Sequence, residues 1–97
     1  MIKDVEIAMV NAANYALEYK DKNYTADVAE IIKQFMKSSA YLNMKPGLSI
    51  YSVAAISEIM KLKSCKESKS KSNRQIMQMF VNTIPEFSKR IQEENSE

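Results

Sequence analysis

Residues 3–19 read KDVEIAMVNAANYALEY, and the spacing of their apolar side chains decides the fold class. Val5, Met9, Ala12, Ala16 and Tyr19 recur at intervals of four, three, four and three, the period of an α-helix. Asp4 and Glu6 fall in the first turn and Lys20 and Lys22 just past the last, as the helix dipole favours. Ile7, Val10 and Leu17 form a second apolar row on roughly the opposite side, leaving a narrow polar strip of Asp4, Asn11 and Glu18. A helix that is apolar nearly all round is buried nearly all round. Either this helix is the central element of a bundle, or its second row faces a protein partner or a second copy of the chain.

Working outward, three further segments repeat at helical spacing and none alternates as a strand does. The second helix is expected to start at Thr25 as cap, carry Val28, Ile31, Ile32, Phe35 and Met36 on one face, and end near Ser39. The chain is expected to reverse within 41–47, at its only Pro-Gly pair, Pro46-Gly47. Ser49 then reads as the cap of helix three, with Leu48 and Val53 as a hydrophobic staple and Val53, Ile56, Ile59, Met60 and Leu62 as the apolar face. Residues 64–72 are polar and low in complexity, a linker expected to be mobile. Helix four opens on the capping-box spacing of Ser72 and Gln75. Ile76, Phe80, Ile84, Phe87 and Ile91 stay in phase across Pro85, which predicts one helix kinked at that proline. The expected fold is therefore all-α: a small antiparallel four-helix bundle over 1–92, with a frayed acidic tail at 93–97.

The residues that are missing bound the function. Among 97 residues there is no histidine and no tryptophan, with one cysteine, Cys65, and one glycine, Gly47. Side chains that titrate near neutral pH, ligate transition metals or cradle phosphates come mostly from the missing types. No catalytic set, metal site or cofactor is expected, and the chain is read as a non-enzyme. Cys65 has no histidine to activate it, and neighbouring lysines offer only a redox or labelling thiol. A single cysteine cannot staple the fold, and no leader or membrane-length apolar run is visible, so a cytoplasmic location is expected. Asn23-Tyr24-Thr25 matches a glycosylation acceptor, which a cytoplasmic chain would leave unused.

Charge is uneven although its total is only +2. Residues 48–75 hold six basic groups against two acidic, while 76–97 hold two against four. The cluster Lys61, Lys63, Lys66, Lys69, Lys71 and Arg74 is a candidate contact for nucleic acid or another anion. A solvated linker is the favoured reading, because the cluster contains no aromatic residue on which a base could stack and an acidic tail follows it. A helix-turn-helix built from helices two and three fails on its long intervening stretch. Met9, Met36, Met60 and Met77 lie on or beside the apolar stripes as core filler. Met79 and Val81 flank the helix-four stripe, about 100° to either side, and join Ile7, Val10 and Leu17 as candidate partner contacts.

Asp21-Lys22-Asn23-Tyr24 before helix two, a Pro46-Gly47-Leu48 entry to helix three and a lysine-rich linker before helix four give an order of short helices that resembles the class II bacteriocin immunity proteins over residues 18–84. The resemblance implies a small cytosolic four-helix bundle that protects a producer cell by acting at the bacteriocin's membrane receptor. The chain departs from that pattern at its end, where Glu93, Glu94 and Glu97 stand in place of the family's ordered C-terminal extension. The functional expectation is a non-enzymatic protein-interaction or regulatory module able to form a homodimer. An immunity-type protein and a nucleic-acid accessory factor are the alternatives.

Overall fold

The computed structural model describes residues 2–68 and 70–94, and all of their regular structure is helical. The elements are α1 (Ile2–Lys22), α2 (Val28–Met36), α3 (Ser39–Leu42), α4 (Pro46–Ser64), a 3₁₀ turn (Lys66–Ser68) and α5 (Asn73–Glu94). Among the described residues, no helix is long and apolar enough to cross a membrane.

The second helix reverses direction against the first. Tyr15 packs edge-on against Phe35 while Tyr19, one turn later, donates from Oη to the Glu30 carboxylate at 3.0 Å, so α2 runs back along α1. The first and third long helices, α1 and α4, run parallel, and they share the largest helix–helix interface. Their amino-terminal ends line one hollow through Val5 and Tyr51, and their carboxyl-terminal ends are tied by Lys63 and Asp21. In a square up-down bundle these two helices would lie on a diagonal. Along their contact α1 carries Ala8, Ala12, Ala13 and Ala16, and α4 carries Ser52 and Ala55, all buried. Side chains this small let helix axes approach closely. Larger buried residues come from all four long helices: Met9 and Leu17 on α1, Ile31 and Phe35 on α2, Ile56, Ile59 and Met60 on α4, and Ile76, Phe80, Ile84 and Ile91 on α5. α2 and α5 each touch both α1 and α4.

Several local expectations are corrected by competing caps. Thr25 is exposed and does not cap α2; Asp27 does, accepting from the Glu30 N–H at 2.8 Å. The longer turn is held by Ala26 N–H donating to the Asn23 carbonyl and by Lys20 Nζ donating to the Ala26 carbonyl, at 2.8 and 2.6 Å. α2 stops at Met36, because Ser38 caps a separate one-turn helix, α3. Pro46 and Gly47 do not form the reversal; they are the first two residues of α4, after the cap Lys45. A proline suits this place, since its missing N–H would have no helical partner there. Ser49 is consequently inside the helix, its Oγ donating to the Pro46 carbonyl at 2.9 Å, and the Leu48–Val53 staple does not arise.

The fourth expected helix is continuous through Pro85. Its capping box is reciprocal: Gln75 N–H donates to Ser72 Oγ at 3.3 Å and Ser72 N–H to Gln75 Oε1 at 2.9 Å. Pro85 is exposed, so the carbonyl it leaves without a donor lies on the wet side of the helix. Thr83 Oγ1 donates to the Phe80 carbonyl one turn before the proline, at 2.8 Å. Helix continues to Glu94, and residues 95–97 of the expected tail lie outside the described residues.

Candidate functional site

Parallel packing of α1 and α4 gives the molecule two chemically different ends. At the amino-terminal end, Ile7 and Ala8 of α1 face Ala40, Met44 and Leu48 across a cleft of about 260 Å³, with Asp4 and Lys45 at its rim. Ile7 is 51% exposed. The row expected to present Ile7, Val10 and Leu17 together does not do so. Val10 is half-buried against the core and Leu17 is only 2% exposed. At 100° per residue, Val10 and Leu17 are rotated by about 60° and 80° from Ile7, toward the buried arc.

Leu17 instead meets α5. Together with Asn14 and Glu18 it borders a groove of about 400 Å³ whose other wall carries Arg74, Met77 and Val81. Val81 is 39% exposed. Met79, half-buried, is not in that wall; its sulfur accepts from Lys71 Nζ at 3.4 Å.

At the carboxyl-terminal end, three helix ends are joined by polar side chains. Lys63 Nζ donates to Asp21 Oδ1 at 2.9 Å and to Asn73 Oδ1 at 3.0 Å, while Asn73 Nδ2 donates to Asp21 Oδ2 at 2.5 Å. The Lys63 hydrogen bond, with that of Asn73, holds the Asp21 carboxyl below its ordinary range against the opposing effect of desolvation. Lys63 is thus committed to a protein carboxylate and drops out of the anion-contact set. Lys61, Lys66, Lys71 and Arg74 are exposed, and Lys69 lies outside the described residues.

Two groups that sequence reasoning did not attach to these surfaces are brought to them by the fold. Ala40 and Met44 line the cleft with Ile7, and the bonds of Asp21 to Lys63 and Asn73 hold the end of α1, where Lys22 and then Tyr24 follow, against the end of α4 and the start of α5. Tyr24, in the turn after α1, is 80% exposed. Cys65 is a free, exposed thiol at the carboxyl cap of α4. No three metal-ligating side chains cluster among the described residues. No family model matches the chain, and neither the curated proteins nor the solved structures contain a match.

Proposed function

We propose that the protein is a non-enzymatic binding module that receives an apolar segment of a protein partner at the amino-terminal ends of α1 and α4. A second copy of the chain is the first partner to test. Ile7 carries this reading: a branched aliphatic side chain is left half-exposed at the mouth of a cleft walled by Ala40, Met44 and Leu48. Fully burying such a side chain is worth about 1.5–3 kcal/mol, and much of that gain is still open here. Met44 supplies an adaptable wall, and the opposite charges of Asp4 and Lys45 give the polar rim that binding surfaces carry. The reading includes an antiparallel four-helix bundle squashed along the α1–α4 diagonal and bent at Pro85, supported by the reversal of α2 against α1 and by the missing proline donor. A cytoplasmic setting, proposed with it, is supported by the free exposed thiol of Cys65.

Sedimentation equilibrium and pull-down with wild type and Ile7→Glu test the reading. The expected result is self-association, or retention of a defined host protein, that the substitution abolishes without loss of helicity. A wild-type chain that stays monomeric and retains the same proteins as Ile7→Glu contradicts it.

A further inference from the structure

Three features argue from sequence against an anion-binding role for the basic cluster: no aromatic neighbour, an electrically balanced first half, and an acidic tail. The fold changes the weight of each. Asp21 is bonded to both Lys63 and Asn73, which pins the end of α1 between the end of α4 and the start of α5. Tyr24 follows Asp21 by three residues, so its Cα is within about 11 Å of that of Asp21. Lys66 stands in the same relation to Lys63. An exposed ring and the exposed amines of Lys22, Lys61, Lys66 and Lys71, with the Arg74 guanidinium, are thus gathered at one end of the molecule.

The acidic groups do not cancel this field. Asp21 is already paired with Lys63, and Asp27 is occupied as the cap of α2. Glu67 in the 3₁₀ turn and Glu18, which borders the same groove as Arg74, subtract two charges from the five basic groups and leave the cluster basic. Because α5 is a single helix through Pro85, Glu86 and Glu93 are held about 18 and 28 Å along the axis from Arg74. Those distances exceed the ~8 Å screening length of physiological salt.

We propose that this end is a binding surface for single-stranded nucleic acid, in which Tyr24 stacks on a base and Lys22, Lys61, Lys66, Lys71 and Arg74 neutralise backbone phosphates. Single strands are favoured over duplex because a lone projecting ring needs an unstacked base face, and no helix of the fold presents these side chains as a groove-reading row. The surface is separate from the Ile7 cleft: Ile7 and Lys22 are 15 residues apart on α1, about 22 Å of helix rise.

Fluorescence anisotropy with labelled oligothymidylate, oligouridylate and a DNA duplex tests the proposal, alongside flotation with phosphatidylserine vesicles. Binding to the single strands is expected to be tighter than about 10⁻⁴ M at physiological salt and to weaken steeply as salt rises. Tyr24→Ala is expected to weaken it roughly 5- to 100-fold, and Tyr24→Phe to restore it, as for loss and return of a stacking ring. Replacing Lys61, Lys66 and Lys71 by glutamine is expected to lower the salt slope by roughly 0.7 for each phosphate no longer neutralised. Ile7→Glu is expected to leave oligonucleotide binding unchanged, so failure of the protein-binding reading is read separately. Absence of oligonucleotide binding at low salt overturns the proposal, as does binding indifferent to both Tyr24→Ala and the lysine replacements. Capture by vesicles alone, or an equal preference for duplex, overturns it as well.

Discussion

Lys63 Nζ lies 2.9 Å from Asp21 Oδ1, joining the last turns of two helices that run in the same direction although 42 residues separate the pair. The contact is partly exposed, at 24% for the lysine side chain and 55% for the aspartate, so its direct worth is that of a surface pair, below about 1 kcal/mol. Its larger consequence is positional: it sets which loops share an end of the molecule.

Asp21 makes stability depend on acid. Its folded-state pKa is lowered, chiefly by the Lys63 hydrogen bond, so its contribution is fully present above the unfolded carboxyl value of about 3.9 and disappears as pH falls through the lower folded value. Asp21→Asn is expected to lower stability at neutral pH by less than about 1 kcal/mol, and the gap to wild type should close as pH falls through the lowered folded value. Urea titrations of both proteins across that range check it.

Gly47→Ala is expected to stabilise the protein by roughly 0.5–1 kcal/mol. The residue is helical with no positive φ, and an added Cβ meets nothing within 4 Å. The methyl group therefore restricts the unfolded chain without strain in the folded one. Thermal unfolding by circular dichroism reads the shift, and a loss of stability would place the turn of the chain back at Pro46-Gly47.

Phe80 and Phe87 flank Pro85 and meet edge to face with centroids 6.4 Å apart. Phe80 is fully buried, and Phe80→Ala is expected to cost about 3–5 kcal/mol. Phe87 is half-buried under the Arg90 guanidinium, and Phe87→Ala should cost about half as much while still destabilising the whole domain. Equilibrium unfolding that does not respond to Phe87→Ala would make the segment beyond Pro85 an independent arm.

What was legible in the sequence was whatever a single segment decides for itself. The in-phase row of Ile76, Phe80, Ile84 and Ile91 and the box of Ser72 and Gln75 are local, and both are realised. Where two nearby residues can serve one role, tertiary context chose: Asp27 over Thr25 as cap, and the first turn of α4 over a reversal for Pro46-Gly47. Ile7, Val10 and Leu17 were read as one row, but rotations of about 60° and 80° from Ile7 leave Ile7 exposed, Val10 half-buried against the core and Leu17 inside it. The pairing of α1 with α4 has no local signature. It follows from alanines whose value appears only when a second helix of small residues lies opposite. Both candidate surfaces depend on that pairing, which is why neither the Ile7 cleft nor the company of Tyr24 could be read from spacing.

The parallel packing of α1 and α4 is therefore the claim to test first, and Cys65 offers the means, as the only cysteine of the chain and an exposed one at the end of α4. A nitroxide attached there should broaden the amide resonances of Lys22, Asn23 and Tyr24 and leave those of Asp4 to Ile7 sharp. Broadening of Asp4 to Ile7 with Lys22 to Tyr24 unaffected would mean that α4 runs the other way along α1, and would contradict the account.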